Sequence, residues 1–184
     1  MSEPMALETL AEHLLRFEGY WTQTRVPFKT RRGNSDWDVV GMSPSGRVVV
    51  AECKGVGSPR DYLNWDTPAK QRKIERWCKK AEDNWRYFLR SPANKRLQLR
   101  RINEFRLFLP GKLPRSNARE KLEARLQRKY SFPVRLFSVQ EIIQKLKLHV
   151  QRDMKERGKR YADPALEMIR WLLRAGGDIV WRSD

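Results

Sequence analysis

Two short valine-rich segments joined by a turn constrain the fold of this chain more than any other sequence feature. Residues 38–42 and 47–54 have the hydrophobic pattern of β-strands, and the sequence Ser43-Pro44-Ser45-Gly46 between them is typical of a hairpin loop. An antiparallel hairpin centred on this loop places Asp38 directly opposite Glu52. A bulge in the turn would shift this register by one residue.

An aspartate opposite a glutamate at the end of an apolar hairpin indicates a cation site. Directly opposed residues have Cβ atoms about 4.5–5.5 Å apart, so the carboxylates of Asp38 and Glu52 repel each other unless a cation lies between them. A hard divalent cation with oxygen ligands suits this pair. Because side chains alternate along a strand, Glu52 and Lys54 point to one face and Cys53 to the other. A surface ion pair between Glu52 and Lys54 is the alternative.

The rest of the chain predicts helices and strands in alternation around this hairpin. The order is α-β-β-β-α-β-α-β-α-α, which predicts a mixed sheet flanked by helices, an α/β fold. One domain is expected over residues 1–150, followed by a basic linker and a C-terminal helix over 151–184. Residues 29–35 are interpreted as a polar basic loop. The other predicted elements are helices over 5–17, 68–89, 117–129, from 138 onward and 164–175, and strands over 20–26, 105–109 and 133–137.

The charge of the chain indicates a polyanionic partner. The formal net charge is +17, and residues 1–54 are balanced, so the whole excess falls in the later part. Such a field attracts nucleic acid, although a basic surface with no specific partner is the alternative. The longest apolar run, Val48–Ala51, is far too short to span a bilayer, so no membrane partner is expected. Two cysteines without zinc-ligand spacing favour a reducing cytoplasm.

Asp38 and the tripeptide Glu52-Cys53-Lys54, in this order of elements, resemble the PD-(D/E)XK nuclease superfamily of restriction enzymes and Holliday-junction resolvases. That family has a helix with an acidic residue, a strand with Asp, a strand with Glu-x-Lys and a crossover helix, and residues 5–90 match this order. The chain lacks the family's proline, since Trp37 precedes Asp38. Asp36 competes with Asp38, which is preferred because it directly precedes the apolar Val39-Val40. The resemblance implies a restriction-endonuclease-like αβββαβ core with flanking helices and a C-terminal helical extension.

The resemblance also implies a metal-dependent DNA endonuclease that hydrolyses phosphodiester bonds, cytoplasmic and of prokaryotic or viral type. Asp38, Glu52 and the backbone carbonyl of Cys53 would hold Mg²⁺ or Mn²⁺. Lys54 would assist the attacking water and stabilise charge growing on the phosphate. Glu8, on the first helix, would complete the metal site as an acidic residue does in the resolvase-like branch, the alternative being a solvated helix face. Gln71 resembles the extra glutamine of some subfamilies, the alternative being a helix-start glutamine bonded to nearby backbone.

Basic residues near the hairpin and in the middle of the chain are candidates for DNA contacts. Residues 90–129 contain thirteen basic and three acidic residues. Phosphate contacts hold a nucleic acid without reading its sequence, and no recognition-helix motif is present, so selection by DNA structure or by a partner is expected. The predicted contact residues are Lys29, Arg31, Arg32, Arg96, Arg100 and Arg101.

Two other functions remain open from the sequence alone. One is a catalytically silent nucleic-acid-binding module or a subunit of a larger nuclease complex. The other is an RNA-processing nuclease. A homodimer is possible, because cutting both strands of a duplex with one site per chain favours two-fold symmetry. The sequence leaves open whether the substrate is a duplex, a junction, a flap or a single strand.

Overall fold

A five-stranded mixed sheet forms the core of the computed structural model, which describes residues 3–55, 65–157 and 161–175. The strands lie in the sheet in chain order; β2 is antiparallel to both of its neighbours, β1 and β3, whereas β3, β4 and β5 are parallel. Their bounds are β1 (Trp21–Thr30), β2 (Gly33–Met42), β3 (Val48–Cys53), β4 (Glu104–Leu109) and β5 (Val134–Ser138).

Helices cover both faces of this sheet, which confirms the predicted α/β class and the αβββαβ order of its core. They are α1 (Glu3–Phe17), α2 (Pro68–Phe88), α3 (Pro92–Leu97), α4 (Ser116–Lys129), α5 (Val139–Arg157) and α6 (Pro164–Arg174). One apolar cluster joins α2 and α4 to the sheet, and a second joins α1, α5 and α6 to the opposite side; we call these the α2 face and the α1 face. No helix in the described ranges combines the length and apolar character needed to cross a membrane.

The β2–β3 hairpin has the register predicted from its loop. Val39 pairs with Ala51 and Val40 with Val50. The turn closes through the backbone N–H of Gly46, which donates to the carbonyl of Ser43 at 2.9 Å. Gly46 adopts a φ of 78°, a left-handed conformation that favours glycine, so the turn follows from the composition of the loop.

The predicted loop over residues 29–35 is instead the tip of a tight antiparallel ribbon. β1 continues to Thr30, β2 starts at Gly33, and these two residues form the last pair. The Thr30 hydroxyl donates to the Gly33 carbonyl at 3.0 Å, and Gly33 has a φ of 129°. Polar side chains did not prevent strand formation here, because the ribbon is held by backbone hydrogen bonds.

The predicted linker over 151–161 is also corrected by the structure. Residues 151–157 continue α5, so the expected domain boundary at residue 150 falls inside a helix. The side chain of Asp153 accepts a hydrogen bond from the Tyr161 hydroxyl at 2.9 Å, and Ile169 of α6 is buried in the α1-face core. The C-terminal helix therefore packs on the same core as α1 and α5.

Side chains cap the N-termini of several helices but not that of α4. Ser138 and Glu141 form a reciprocal capping box, in which each side chain accepts from the other's backbone N–H at 3.2 and 2.8 Å. Asp163 caps α6 through the N–H groups of the next turn. By contrast, α4 begins at Ser116 without a side-chain cap.

Candidate active site

The β2–β3 hairpin opens at the end where the two predicted acidic residues lie. Its ladder runs from Met42 and Val48 to Val39 and Ala51 and is not continued to Asp38 and Glu52. In place of a further backbone pair, the Oδ2 atom of Asp38 accepts a hydrogen bond from the backbone N–H of Cys53 at 2.6 Å. This bond fixes the carboxylate beside the end of β3.

The regular alternation of side chains between the two faces of the sheet is broken at Asp38. Trp37 is buried in the α2-face core and Val39 in the α1-face core, whereas regular alternation would put both side chains on one face. Arg25, which the β1–β2 register places opposite Asp38, has a φ of 49°. A non-glycine residue in this region costs on the order of 1–3 kcal/mol, and such strain is concentrated at functional sites. The irregularity lets groups from both faces of the sheet approach Asp38.

Glu52 and Lys54 lie on the α2 face, as their alternation predicted. The Lys54 ammonium donates to Glu52 Oε2 and lies 5.8 Å from the centre of the Trp77 ring. Their side chains are only 15% (Glu52) and 20% (Lys54) exposed, so this is not an ordinary surface ion pair. Cys53 is buried in the α1-face core, on the other side of the strand.

Burial and neighbouring carboxylates disfavour the charged form of Asp38. Burial, the charge of Glu52 and, more weakly, that of Glu8 raise the pKa of Asp38 to about 7, although the Cys53 N–H and Lys54 lower it. A carboxyl group in this state gains strongly from a bound cation. For Lys54, burial lowers the pKa, but the carboxylates of Glu52 and Asp38 outweigh burial and raise it overall. The ammonium therefore stays charged at neutral pH.

Glu8 joins this group from the first helix. Its side chain is 13% exposed, and it accepts a hydrogen bond from Arg25 Nε at 3.1 Å. Because Arg25 lies opposite Asp38 in the sheet, this bond holds Glu8 on the side of Asp38 that faces α1. We call Glu8, Asp38 and Glu52 the acid cluster. Glu12, one helical turn later, is bonded to Arg16 and Thr22 instead.

The acid cluster offers oxygen ligands, and the charges of Glu52 and Glu8 both act on Asp38. Within the described residues no three His, Cys, Asp or Glu side chains are already arranged as a metal cage. Mg²⁺ does not require one, because it is commonly held by one or two carboxylates, waters and substrate phosphates. The raised pKa of Asp38 shows that its charged form lacks full compensation by a cation, and all the side-chain donors are oxygen atoms. Both features fit Mg²⁺ or Mn²⁺ at Asp38 and Glu52. The Cys53 carbonyl stays a predicted ligand.

The structure also locates the competing aspartate and the predicted glutamine. Asp36 is exposed on β2, outside the acid cluster. Gln71 donates from its amide to the Asp66 carbonyl at 3.4 Å and accepts from Arg125 at 3.3 Å. These contacts match the alternative interpretation of a helix-start glutamine, and a role for Gln71 beside the metal stays a prediction.

The predicted DNA-contact residues divide into two groups in space. Lys29, Arg31 and Arg32 are exposed at the tip of the β1–β2 ribbon. The second group, Arg96, Arg100 and Arg101, is exposed before β4. Asn103, at the start of β4, bonds to Val48, so this end of the sheet is about 13 Å of strand away from Glu52.

Sequence reasoning missed three residues of α2 that face the site. Trp77, Lys80 and Asn84 line a narrow cavity together with Glu52 and Lys54. Asn84 is buried and lies among the apolar residues of its helix. A polar residue at the spacing of an apolar stripe was the signal that could have identified this helix as part of the site.

Comparisons with known proteins leave the function open. No protein-family model matches the chain, and no curated protein matches it by sequence. A crystal structure of a protein of unknown function, AF1548, is 14% identical with a TM-score of 0.42, covering 94% of this chain and 77% of that one. A repair endonuclease from Pyrococcus abyssi is 19% identical with a TM-score of 0.34, covering 75% of this chain and 47% of that one. Likenesses this weak assign no function.

Proposed function

We propose that this protein is a metal-dependent endonuclease that hydrolyses phosphodiester bonds in DNA. The observation that carries the proposal is the meeting of Asp38, Glu52 and Lys54 at the open end of a strained β-ribbon. Two carboxylates held together without full neutralisation are unfavourable for folding alone. Their presence beside a charged lysine therefore favours a catalytic use.

Each group of the site has a chemical task in this reaction. Asp38 and Glu52 would hold Mg²⁺ or Mn²⁺, which supplies a Lewis acid and lowers the pKa of bound water. The Lys54 ammonium can donate hydrogen bonds to the phosphate oxygens on which negative charge grows. Trp77 and Glu52 restrict the position of that ammonium. The reaction needs an acceleration of up to about 10¹⁷-fold, which a basic surface alone does not supply.

Glu52→Gln and Lys54→Ala are each expected to abolish nicking of supercoiled plasmid in Mg²⁺ or Mn²⁺ without weakening DNA binding more than about twofold. Glu52→Gln removes a ligand charge and Lys54→Ala removes the donor to the phosphate, whereas binding depends mainly on other cations. Nicking is followed on gels, and binding is measured in EDTA by fluorescence anisotropy. Cleavage by wild type in EDTA, or by either variant at the wild-type rate, would contradict the assignment.

A binding module without turnover is the second candidate, and the lack of a preformed three-ligand group in the described part of the chain favours it. Calorimetric titration with Mg²⁺ separates the two functions. An endonuclease site binds the ion in wild type and loses it in Glu52→Gln. A silent module shows neither Mg²⁺ binding nor plasmid nicking. Cleavage of matched RNA and DNA oligonucleotides in Mg²⁺, followed on denaturing gels, tests the RNA-processing hypothesis.

Trp77→Leu is expected to lower the cleavage rate by about 2- to 30-fold, since a cation–π contact contributes roughly 0.5–2 kcal/mol to holding Lys54 in place. Trp77→Phe keeps an aromatic face and is expected to retain most activity. Single-turnover rates at saturating enzyme isolate the chemical step. Equal losses in Trp77→Leu and Trp77→Phe would mean that packing, and not the aromatic face, explains the effect.

A further inference from the structure

A cleft of about 890 Å³ separates the tip of the β1–β2 ribbon from α2. Thr30 and Asn34 of the ribbon line one wall, and α2 supplies the other. Basic side chains come from both walls and from the turn after α2. They are Arg31, Arg32, Arg76, Lys80, Arg86 and Arg90, and we call them the basic cleft residues.

The basic cleft residues are exposed, and no ion pair within the described ranges engages any of the six. Elsewhere many cations are engaged by acids of the protein itself, as Arg106 is by Glu18 and Glu104. Lys79 also lines the cleft but is paired with Asp83 at 2.7 Å. The cleft therefore gathers positive charge that the fold does not neutralise.

The cations on α2 form a row along one side of the helix. Arg76, Lys80 and Arg86 span ten residues, or about 15 Å at 1.5 Å per residue. Arg90, just beyond the helix, extends the row. An extended chain of phosphates, and not a single compact anion, matches a row of this length.

An aromatic ring lies in the same cleft. Tyr87 is 38% exposed although it is a large aromatic residue, and it lines the cleft between Arg86 and Arg90. Nucleic-acid bases stack on such rings when they are not paired within a duplex. A positively charged groove with an aromatic platform is the combination that tracks a single strand.

The cleft leads to the acid cluster. Lys80 and Asn84 line both the cleft and the narrow cavity that contains Glu52 and Lys54. A strand lying along the row of cations would therefore pass beside the carboxylates.

We propose that the cleft between the β1–β2 tip and α2 binds single-stranded DNA and directs it to the acid cluster. The inference rests on the proposed function for its purpose, but binding itself requires neither metal nor cleavage. Arg31 and Arg32 contact the bound DNA from the β1–β2 side of the cleft. The cations of α2 contact its phosphates, and Tyr87 stacks on a base.

The test measures equilibrium binding of a fluorescent 12-nucleotide single strand and of the matching duplex in EDTA. Arg86→Ala/Arg90→Ala is expected to weaken single-strand binding at least tenfold and to reduce the slope of log affinity against log salt by about 1.4. Arg152→Ala/Lys155→Ala is the charge-matched control, because both residues are exposed on α5, on the other face of the sheet. It is expected to change affinity less than threefold.

The aromatic contact is tested separately at Tyr87. Tyr87→Leu is expected to weaken single-strand binding about 5- to 150-fold, the range for losing one stacked base, while Tyr87→Phe retains binding. Equal losses in the cleft and control double variants would overturn the proposal, as would duplex binding as tight as single-strand binding. Because the measurements use EDTA, single-strand binding without any metal-dependent cleavage would leave the cleft in place and refute only the endonuclease.

Discussion

Asp38→Asn is expected to lower metal-dependent DNA cleavage by at least about 10³-fold, whereas Asp36→Asn changes it less than threefold. Both substitutions remove one negative charge from the same strand, two residues apart. Asp38 contacts the backbone of Cys53 at the open end of the hairpin, and Asp36 is exposed to solvent. The side-chain amide oxygen introduced by Asp38→Asn can still accept the Cys53 N–H, so the local backbone is expected to survive.

Single-turnover cleavage at saturating Mg²⁺ measures this difference, and anisotropy in EDTA checks that DNA affinity is retained. Circular dichroism is the control that checks whether both variants are folded. A large loss in Asp36→Asn with a small loss in Asp38→Asn would mean that the ligand was assigned to the wrong aspartate. Equal losses in both would indicate a general charge effect on this strand.

The register of the β2–β3 hairpin was predictable because it depends on local sequence alone. The loop from Ser43 to Gly46 fixes which residues face each other, and valines on both strands fix which faces are buried. Those two facts are enough to bring Glu52 and Lys54 to one face and to place Asp38 at the same end of the hairpin. The most informative part of the candidate site therefore follows from fewer than 20 consecutive residues.

The change of face at Asp38 was not predictable, because it breaks the alternation on which strand prediction relies. Trp37 turns to the α2 face to pack against Phe28, with ring centres 5.2 Å apart. Arg25 takes up a left-handed conformation on the neighbouring strand. The stability of this arrangement comes from aromatic packing between distant segments, which a local pattern does not report.

The position of the basic residues was also beyond what charge along the chain can predict. Arg96, Arg100 and Arg101 precede β4, and β4 is parallel to β3, so these three residues lie at the opposite end of the strand from Glu52. The cations nearest the site come instead from α2, whose sequence was interpreted mainly for its apolar stripe. Charge density in sequence indicates a polyanionic partner, but topology decides where the partner lies.

The raised pKa of Asp38 has a consequence for stability that can be measured without any assay of cleavage. The pKa of Asp38 in the folded protein, about 7, exceeds the ordinary aspartate value of 3.8. The folded protein therefore holds this proton more tightly than the unfolded chain does. Because this carboxyl pKa is raised, the contribution of Asp38 to stability is most favourable below about pH 4 and is lost as the pH rises through 7. The cost at alkaline pH is up to about 4 kcal/mol.

Asp38→Asn is thus expected to be more stable than wild type at pH 8 in EDTA, by up to about 4 kcal/mol, with the difference shrinking towards zero near pH 4. Urea unfolding at several pH values measures it, and Asp36→Asn, whose carboxylate is exposed, is expected to match wild type throughout. Mg²⁺ at pH 8 is expected to stabilise wild type and not Asp38→Asn, because a bound cation offsets the same repulsion. If Asp38→Asn is less stable than wild type at pH 8, then the charge of Asp38 stabilises the fold, and the proposed cost of that charge in the absence of metal does not exist.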